Sequence, residues 1–333
     1  MMENKFYMKR TMKFNSLQFN STNCTKELSR YSLEVLQKNE KLEEVYKSYK
    51  DTFSKDKVKN ISFSEDGFCA LFLSLNGKIA VSVGESEFIV QGAQKAKTLG
   101  ADISFVLLQK DGTLDTDSLD EGFDFIFISS YVIDTYVKVD LQKVKKNTKA
   151  KIVSNATVHK SEYSDIYLLD GYKLCGIGAS GIFIYDEGFS KDALSQIDLL
   201  SLETSLNAYK EKKVLSRVKQ RFLKEFQRAF LDDLYLFVDP ESCLEFTLHL
   251  GLRDIKMRDI IRTLAFEDIL ITNGEGCSLG LSRPSRILQE MGYSEDESRW
   301  GLSLDFSEEL SDEQIEQVVE TIYKKYRQIK VLG

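Results

Sequence analysis

The chain has 333 residues, of which 42% are hydrophobic, which indicates a globular protein of about two domains. A formal net charge of -7 leaves no basic excess, and no apolar stretch is long enough for a signal peptide or a membrane span, which excludes nucleic acid and membranes as expected partners. The five cysteines contain no C-x-x-C pair, so we expect no disulfide framework or zinc site and a reducing, cytoplasmic location.

Strand-like segments dominate the first part of the chain. Between residues 60 and 190, short β-rich runs have a near-continuous apolar character, which predicts strands buried on both faces. These runs are 79–83, 103–108, 125–128, 151–154, 166–169 and 182–185. A segment of helical character at 88–99 falls between two of them, and such alternation predicts an α/β fold with a mainly parallel sheet. We assign residues 50–205 to this large domain.

The pattern changes in the second half of the chain. Apolar residues at helical spacing in 215–230 predict one long amphipathic helix. Strand-like runs follow at 235–238, 245–249 and 269–272. Ser311 and Gln314 form a capping-box pattern, which predicts the start of a final helix. Residues 206–333, together with 1–49, are therefore predicted to form a smaller α+β domain.

A cysteine in a glycine-rich segment is the first candidate for chemistry. Cys277 follows Gly274 and Gly276, and a helix is predicted to begin near Pro284. A thiol on a backbone-permissive loop is what a sulfur carrier needs, whereas most free cysteines are buried and inert. The residues alone leave both interpretations open.

Lys173 is the second candidate. It follows a predicted buried strand and precedes a glycine-rich turn and another apolar strand. A lysine in such a place can be partly desolvated and therefore nucleophilic, and an ordinary exposed turn lysine is the alternative.

These two segments resemble the cysteine desulfurases of the housekeeping and nitrogen-fixation type. Cys277 and Pro284 match the spacing of the family's Ser-Ser-Gly-Ser-Ala-Cys-Thr-Ser loop and the Glu-Pro-Ser that follows it. Gly171, Lys173 and Gly181 match the segment that carries the cofactor lysine, and the resemblance extends over roughly residues 60–325.

The resemblance implies a fold, a reaction and partners. The fold is that of the pyridoxal phosphate (PLP)-dependent transferases of fold type I, and the assembly is a homodimer. Lys173 would hold PLP as a Schiff base, and Cys277 would take sulfur from L-cysteine as a persulfide. A sulfur-acceptor or iron–sulfur assembly protein would then receive the sulfur.

The remaining site residues are assigned by the same resemblance, with departures from the family pattern. Gly67 is retained in the phosphate-binding segment, where Glu65 and Asp66 would repel a phosphate. Arg299 is the candidate for binding the substrate carboxylate, because Gly301 stands where the family has its arginine. The other cofactor-binding positions are Ser86, Ser154, Asn155, Thr157 and Tyr172.

The most consequential departure concerns the pyridine ring of the cofactor. The family's aspartate keeps the ring nitrogen protonated, and neither Ser154 nor Asn155 supplies that charge. Two interpretations follow. The chain is a divergent working desulfurase, or it keeps the fold and dimer without PLP and serves as a binding or regulatory partner.

A third interpretation comes from a different class of protein. A hydrolase or transferase that pairs Cys277 with His159 has no support from residue spacing. Because the chain contains only two histidines, a metal centre with several histidine ligands is not expected.

Overall fold

The structure of the chain is a computed structural model that describes residues 11–14, 40–186, 189, 199–212, 215–275 and 283–332. Its largest feature is a seven-stranded sheet. The strands of this sheet are β2 (Lys57–Ser62), β3 (Ile79–Ser82), β4 (Ile103–Val106), β5 (Phe125–Phe127), β6 (Lys151–Asn155), β7 (Ile166–Asp170) and β8 (Ser180–Tyr185).

The order of these strands confirms an α/β fold with a mainly parallel sheet. It is β2-β8-β7-β6-β5-β3-β4, with parallel pairing from β7 through β4. Only β8 is antiparallel to its neighbours β2 and β7. Strands β3, β5 and β7 are buried along their whole length, as expected of a sheet covered on both faces.

Helices cover the two faces of this sheet. They are α1 (Glu40–Phe53), α2 (Glu65–Ser74), α3 (Glu87–Thr98), α4 (Leu141–Asn147), α5 (Gly171–Cys175) and α6 (Leu199–Glu211). Phe68 and Phe72 of α2 belong to a core cluster that includes Ile89 of α3. Tyr49 and Phe53 of α1 belong to a second core cluster, which also contains residues of α6.

Helix α1 extends across the predicted domain boundary at residue 50. Residues 1–49 were assigned to the smaller domain, but residue 49 falls inside α1, and this helix packs on the large sheet. The Tyr49 hydroxyl donates to the carbonyl of Leu202 at 2.8 Å, and the rings of Phe53 and Tyr167 are 5.5 Å apart. The apolar face of α1 therefore completes the core over β7, and the division into two domains otherwise stays a prediction.

The remaining elements form a smaller set of strands and helices. They are β1 (Met12–Lys13), α7 (Ser216–Phe230), β9 (Leu234–Tyr235), β10 (Thr247–Leu252), α8 (Met257–Ala265), β11 (Ile269–Leu270), α9 (Arg286–Glu290), β12 (Gly301–Asp305) and α10 (Asp312–Leu332). Strands β12, β10 and β9 form an antiparallel sheet, and β1 pairs in parallel with β11.

Two local predictions in this half have different outcomes. The capping box at the start of α10 is confirmed, because the Ser311 N–H donates to Gln314 Oε1 at 2.9 Å and the Gln314 N–H donates to Ser311 Oγ at 3.2 Å. The strand predicted at 235–238 ends at Tyr235, since the chain turns into a short 3₁₀ helix at Pro240–Ser242. No helix within the described ranges has the length and apolar character needed to cross a membrane.

Candidate functional site

Lys173 lies on a short helix that follows a central strand of the large sheet. Helix α5 begins immediately after β7, and the Asp170 carboxylate caps it by accepting from the Lys173 N–H at 3.2 Å. Gly176 ends the helix in the left-handed conformation, with φ of 75°. Because the helix is held at both ends, the Lys173 side chain is fixed in the interior, with only 7% of it exposed.

The ammonium of Lys173 has a buried carboxylate partner. Its Nζ lies 3.3 Å from Glu275 Oε1, and the Glu275 side chain is only 9% exposed. Glu275 also accepts from the Ser86 hydroxyl at 2.5 Å and from the Glu87 N–H at 2.7 Å. The carboxylate of Glu275 therefore connects α5 with the first residues of α3.

The backbone around Glu275 is fixed by Asp134. The Glu275 N–H donates to Asp134 Oδ1 at 2.7 Å, and the Ser285 hydroxyl donates to Asp134 Oδ2 at 3.3 Å. Gly274 has φ of +113°, and a Cβ at this position would lie 2.4 Å from the carboxyl carbon of Asp134. Only glycine permits this close approach, so the sequence Gly274-Glu275 is what brings the carboxylate to Lys173.

Three further buried acids surround the pair. Glu85 accepts from the Ser129 hydroxyl at 2.6 Å. Burial raises the pKa of Glu85 to about 7. Burial also raises the pKa values of Asp134 and Asp170, in each case to about 6. The region around Lys173 therefore holds more acidic groups than cations.

The ionisation of the pair follows from these surroundings. Burial by itself lowers the pKa of the Lys173 amine, but the carboxylates of Glu275, Asp170 and Asp134 outweigh it and raise the pKa above its ordinary value. Burial by itself raises the pKa of Glu275, but Lys173 and the Ser86 hydroxyl outweigh it and lower the pKa. The pair is therefore an ammonium and a carboxylate near neutral pH.

A cleft of about 180 Å³ borders Glu275, the acidic member of the pair. Its walls include the acids Glu87, Asp134 and Glu275 and the arginines Arg283 and Arg286. Both amino groups of Arg286 donate to backbone carbonyls, to Val83 at 2.7 Å and to Glu85 at 2.5 Å. Among the described residues, no group of three or more His, Cys, Asp or Glu side chains could hold a metal ion. The cleft therefore presents charges of both signs and suits a polar ligand.

Four of the predicted cofactor-binding residues lie in or beside this network. Ser86 contacts Glu275 directly. The Asn155 side chain accepts from the Thr157 N–H at 3.0 Å, and Thr157 Oγ1 accepts from the Asp170 N–H at 2.8 Å. Ser154 is fully buried, and its hydroxyl has no hydrogen-bond partner among the described residues.

The other predicted site residues lie elsewhere or have other roles. Gly67 packs against the backbone, because a Cβ there would lie 2.0 Å from the carbonyl oxygen of Ser62. Arg299 pairs with Glu295 at 2.5 Å and lines a separate small cavity beside α8, so the structure does not bring it to Lys173. Tyr172 is 38% exposed on α5.

Of the two residues in the third interpretation, the structure describes His159 and does not describe Cys277. Cys277 lies outside the described residues, which stop at Glu275 and resume at Arg283. His159 is exposed, and its Nδ1 lies 2.8 Å from the hydroxyl of Ser130. The pairing of Cys277 with His159 therefore stays an alternative without support from residue spacing, and the described residues do not test it.

The acids around Lys173 were missed by the sequence analysis. Glu275, Asp134, Glu85 and Asp170 were not assigned to the site, although all four are buried in it. One signal was present in the sequence, because Glu275 stands two residues before Cys277, where the family pattern has a serine. A charged residue in place of a small one, beside the position of the family's cysteine, indicates a changed site.

The residues that are present do not fit PLP. The amine that would carry the cofactor is already paired with Glu275. At the start of α2, where the resemblance places the phosphate, Glu65 and Asp66 form ion pairs with Lys95, and the Gly67 N–H donates to Ser64. The phosphate of PLP would face the carboxylates of Glu65 and Asp66, and the aldehyde end would face that of Glu275, so the electrostatics are unfavourable.

Comparison with known proteins was made at the levels of sequence and structure. No family model matches the sequence, and no curated protein matches it either. Among solved structures, a NifS-like protein has a TM-score of 0.73 at 11% identity, covering 97% of this chain and 100% of that chain.

Two further solved structures are similar. SspA in complex with cysteine has a TM-score of 0.62 at 11% identity, covering 90% of this chain and 99% of that chain. The apo cysteine desulfurase from Thermococcus onnurineus NA1 has a TM-score of 0.66 at 13% identity, covering 96% of this chain and 95% of that chain. The chain therefore has the fold of the NifS-like cysteine desulfurases.

Proposed function

We propose that the protein works without PLP, as a binding or regulatory relative of the cysteine desulfurases rather than by turnover of L-cysteine. The observation that carries this proposal is the buried ion pair between Lys173 and Glu275, with its 3.3 Å separation. A lysine must be a neutral amine to attack an aldehyde, and the neighbouring carboxylates keep this amine protonated.

The substrate side of the site supports the same proposal. The resemblance places the arginine that binds the substrate carboxylate at position 301, which is glycine. A Cβ at Gly301 would lie 3.1 Å from Leu288 Cδ1 and 3.5 Å from His249 Cε1. The space that an arginine side chain would enter is therefore filled by Leu288 and His249.

Turnover of L-cysteine is the second candidate function. It is favoured by the buried Ser154 hydroxyl, which lacks a partner within the described part of the chain, at a position that the resemblance assigns to the cofactor. One structure of similar fold is a complex with cysteine. On this candidate, L-cysteine would leave as alanine, and its sulfur would stay on Cys277 as a persulfide.

The assembly and partners belong to the same proposal. The resemblance supports a homodimer and, for a working desulfurase, contact with a sulfur-acceptor or iron–sulfur assembly protein, while the cysteine pattern supports a cytoplasmic location. Light scattering at micromolar concentration tests the dimer, and a monomer of 38.1 kDa would contradict it.

One set of measurements separates the two functions. The purified protein is incubated with PLP, its near-visible absorption is recorded, and it is reduced with borohydride for peptide mapping, while alanine release from L-cysteine is assayed. We expect a colourless protein, an unmodified Lys173 and no alanine. A PLP adduct on Lys173 with alanine release that Lys173→Ala and Cys277→Ser abolish would establish the desulfurase instead.

A further inference from the structure

The position of the Glu275 carboxylate is the starting observation. By the resemblance, Ser86 stands at the position that would stack on the cofactor ring, and Lys173 stands at the Schiff-base position. Glu275 Oε1 contacts both residues, at 2.5 Å from the Ser86 hydroxyl and 3.3 Å from Lys173 Nζ. The carboxylate therefore fills the place between them.

We propose that Glu275 is the specificity-determining residue that closes this site to aldehydes, by holding Lys173 in an ion pair where other members of the fold present it to a cofactor. The inference rests on the proposed cofactor-free function and names the single residue responsible for it. The family pattern has a serine at this position, which is too short to reach across the same space.

The carboxylate is held rigidly in this place. Ser86 is the N-cap residue of α3, yet its side chain makes no capping bond to its own helix. The first N–H of α3, that of Glu87, instead donates to Glu275 Oε2 at 2.7 Å. A helix N-terminus is a favourable site for an anion, so α3 stabilises the Glu275 carboxylate at the position that an anionic ligand would need.

The chain segment that carries Glu275 is also fixed. The backbone N–H of Glu275 donates to Asp134, and Gly274 permits the close approach to Asp134. Glu275 is therefore attached to α3 and α5 through its side chain and to Asp134 through its backbone N–H. An aldehyde would have to displace a buried carboxylate with three donors before it could reach the amine.

The test compares the reactivity of Lys173 in variants of the full chain. Wild type, Glu275→Gln and Glu275→Ser are each incubated with pyridoxal, which has the aldehyde without the phosphate, and with PLP. The amine nitrogen attacks the aldehyde carbon, C=N replaces C=O, and the oxygen leaves as water. Borohydride then reduces the imine, and peptide mapping measures the adduct on Lys173.

Loss of the Glu275 charge should lower the pKa of Lys173, because this carboxylate is the largest of the charges that raise it, and the fraction of neutral amine should therefore increase. We therefore expect the rate of pyridoxal labelling at Lys173 to rise at least about tenfold in both variants. Labelling with PLP should rise less, because Glu65 and Asp66 repel its phosphate. Glu316→Gln, which removes a surface glutamate paired with Arg228 at 2.6 Å, should behave as wild type.

The outcomes separate this inference from the proposed function. Lys173 that carries PLP in the wild-type protein would contradict the proposed function. Lys173 that stays equally unreactive in the wild type and in both Glu275 variants would overturn only the assignment of Glu275. Circular dichroism shows whether each variant is folded. If one of the two Glu275 variants is unfolded, the other provides the comparison with the wild type.

Discussion

Lys173 and Glu275 are separated by 102 residues in the chain, and inside the protein the ammonium of one compensates the carboxylate of the other. The pair joins the helix that follows β7 to the segment that leads towards Cys277. A buried ion pair contributes little net stability when it forms, but removing one partner leaves a charge without compensation.

Lys173→Met should therefore destabilise the protein by about 3–5 kcal/mol, because Glu275 loses its cation among other acids. The double variant Lys173→Met/Glu275→Gln should recover part of that loss. Denaturant unfolding of the wild type, both single variants and the double variant measures the coupling. Strictly additive effects would show that the two side chains do not interact.

Glu85→Gln should change how stability depends on pH. The folded protein holds the Glu85 proton up to about pH 7, above the ordinary value of 4.5, so this acid lowers stability as pH rises through that range. The shift corresponds to on the order of 3 kcal/mol. The stability gained by Glu85→Gln relative to wild type should therefore grow by that amount between pH 4.5 and pH 8.

Unfolding curves at several pH values measure this difference. Asp134 and Asp170 are present in both proteins, so their contributions largely cancel in the comparison. A difference between the two proteins that stays constant over the range would mean that Glu85 is not a buried acid with a raised pKa.

Gly67→Ala tests whether Gly67 is needed for the close packing of α2 on β2, rather than for binding a phosphate. A methyl group there would lie 2.0 Å from the Ser62 carbonyl oxygen, so β2 and α2 would have to separate. We expect the free energy of unfolding, measured by heat or denaturant, to fall by more than ~3 kcal/mol. Gly178→Ala is the matched control, because nothing lies within 4 Å of its added Cβ, and its stability should change by less than ~0.5 kcal/mol.

Gly301→Arg tests whether the arginine of the family pattern can be restored. The side chain would enter the space filled by Leu288 and His249, and we expect a loss of at least ~1–3 kcal/mol from overpacking, with no gain in L-cysteine affinity. Thermal unfolding and isothermal titration measure the two quantities. A stable variant that binds L-cysteine more tightly would show that the pocket remains open to a substrate carboxylate.

The sequence predicted the large sheet well because its strands are buried on both faces. Such strands are near-continuous apolar runs, and the predicted run 166–169 is observed as Ile166–Asp170. The antiparallel direction of β8 was not predicted. Only α5 lies between β7 and β8, and a connection this short cannot make the crossover that parallel neighbours require.

The site was predicted less completely than the fold. Partial burial of Lys173 was one of two interpretations, because the residue follows a buried strand, and an exposed turn lysine was the other; the side chain is buried. Its partner was not predicted, since the pairing with Glu275 depends on contacts across 102 residues, and no local periodicity reports such a contact. Arg299 was assigned by its position near Gly301, yet a partner only four residues away, Glu295, holds its guanidinium.

The hydrogen bond from the Glu87 N–H to Glu275 has a consequence for how the two halves of the chain depend on each other. The start of α3 obtains this acceptor only from a residue 188 positions later. A fragment that ended after α6 would leave that N–H without this acceptor and Lys173 without this counter-charge. The sheet half by itself therefore lacks two of the electrostatic partners that the late segment before Cys277 provides.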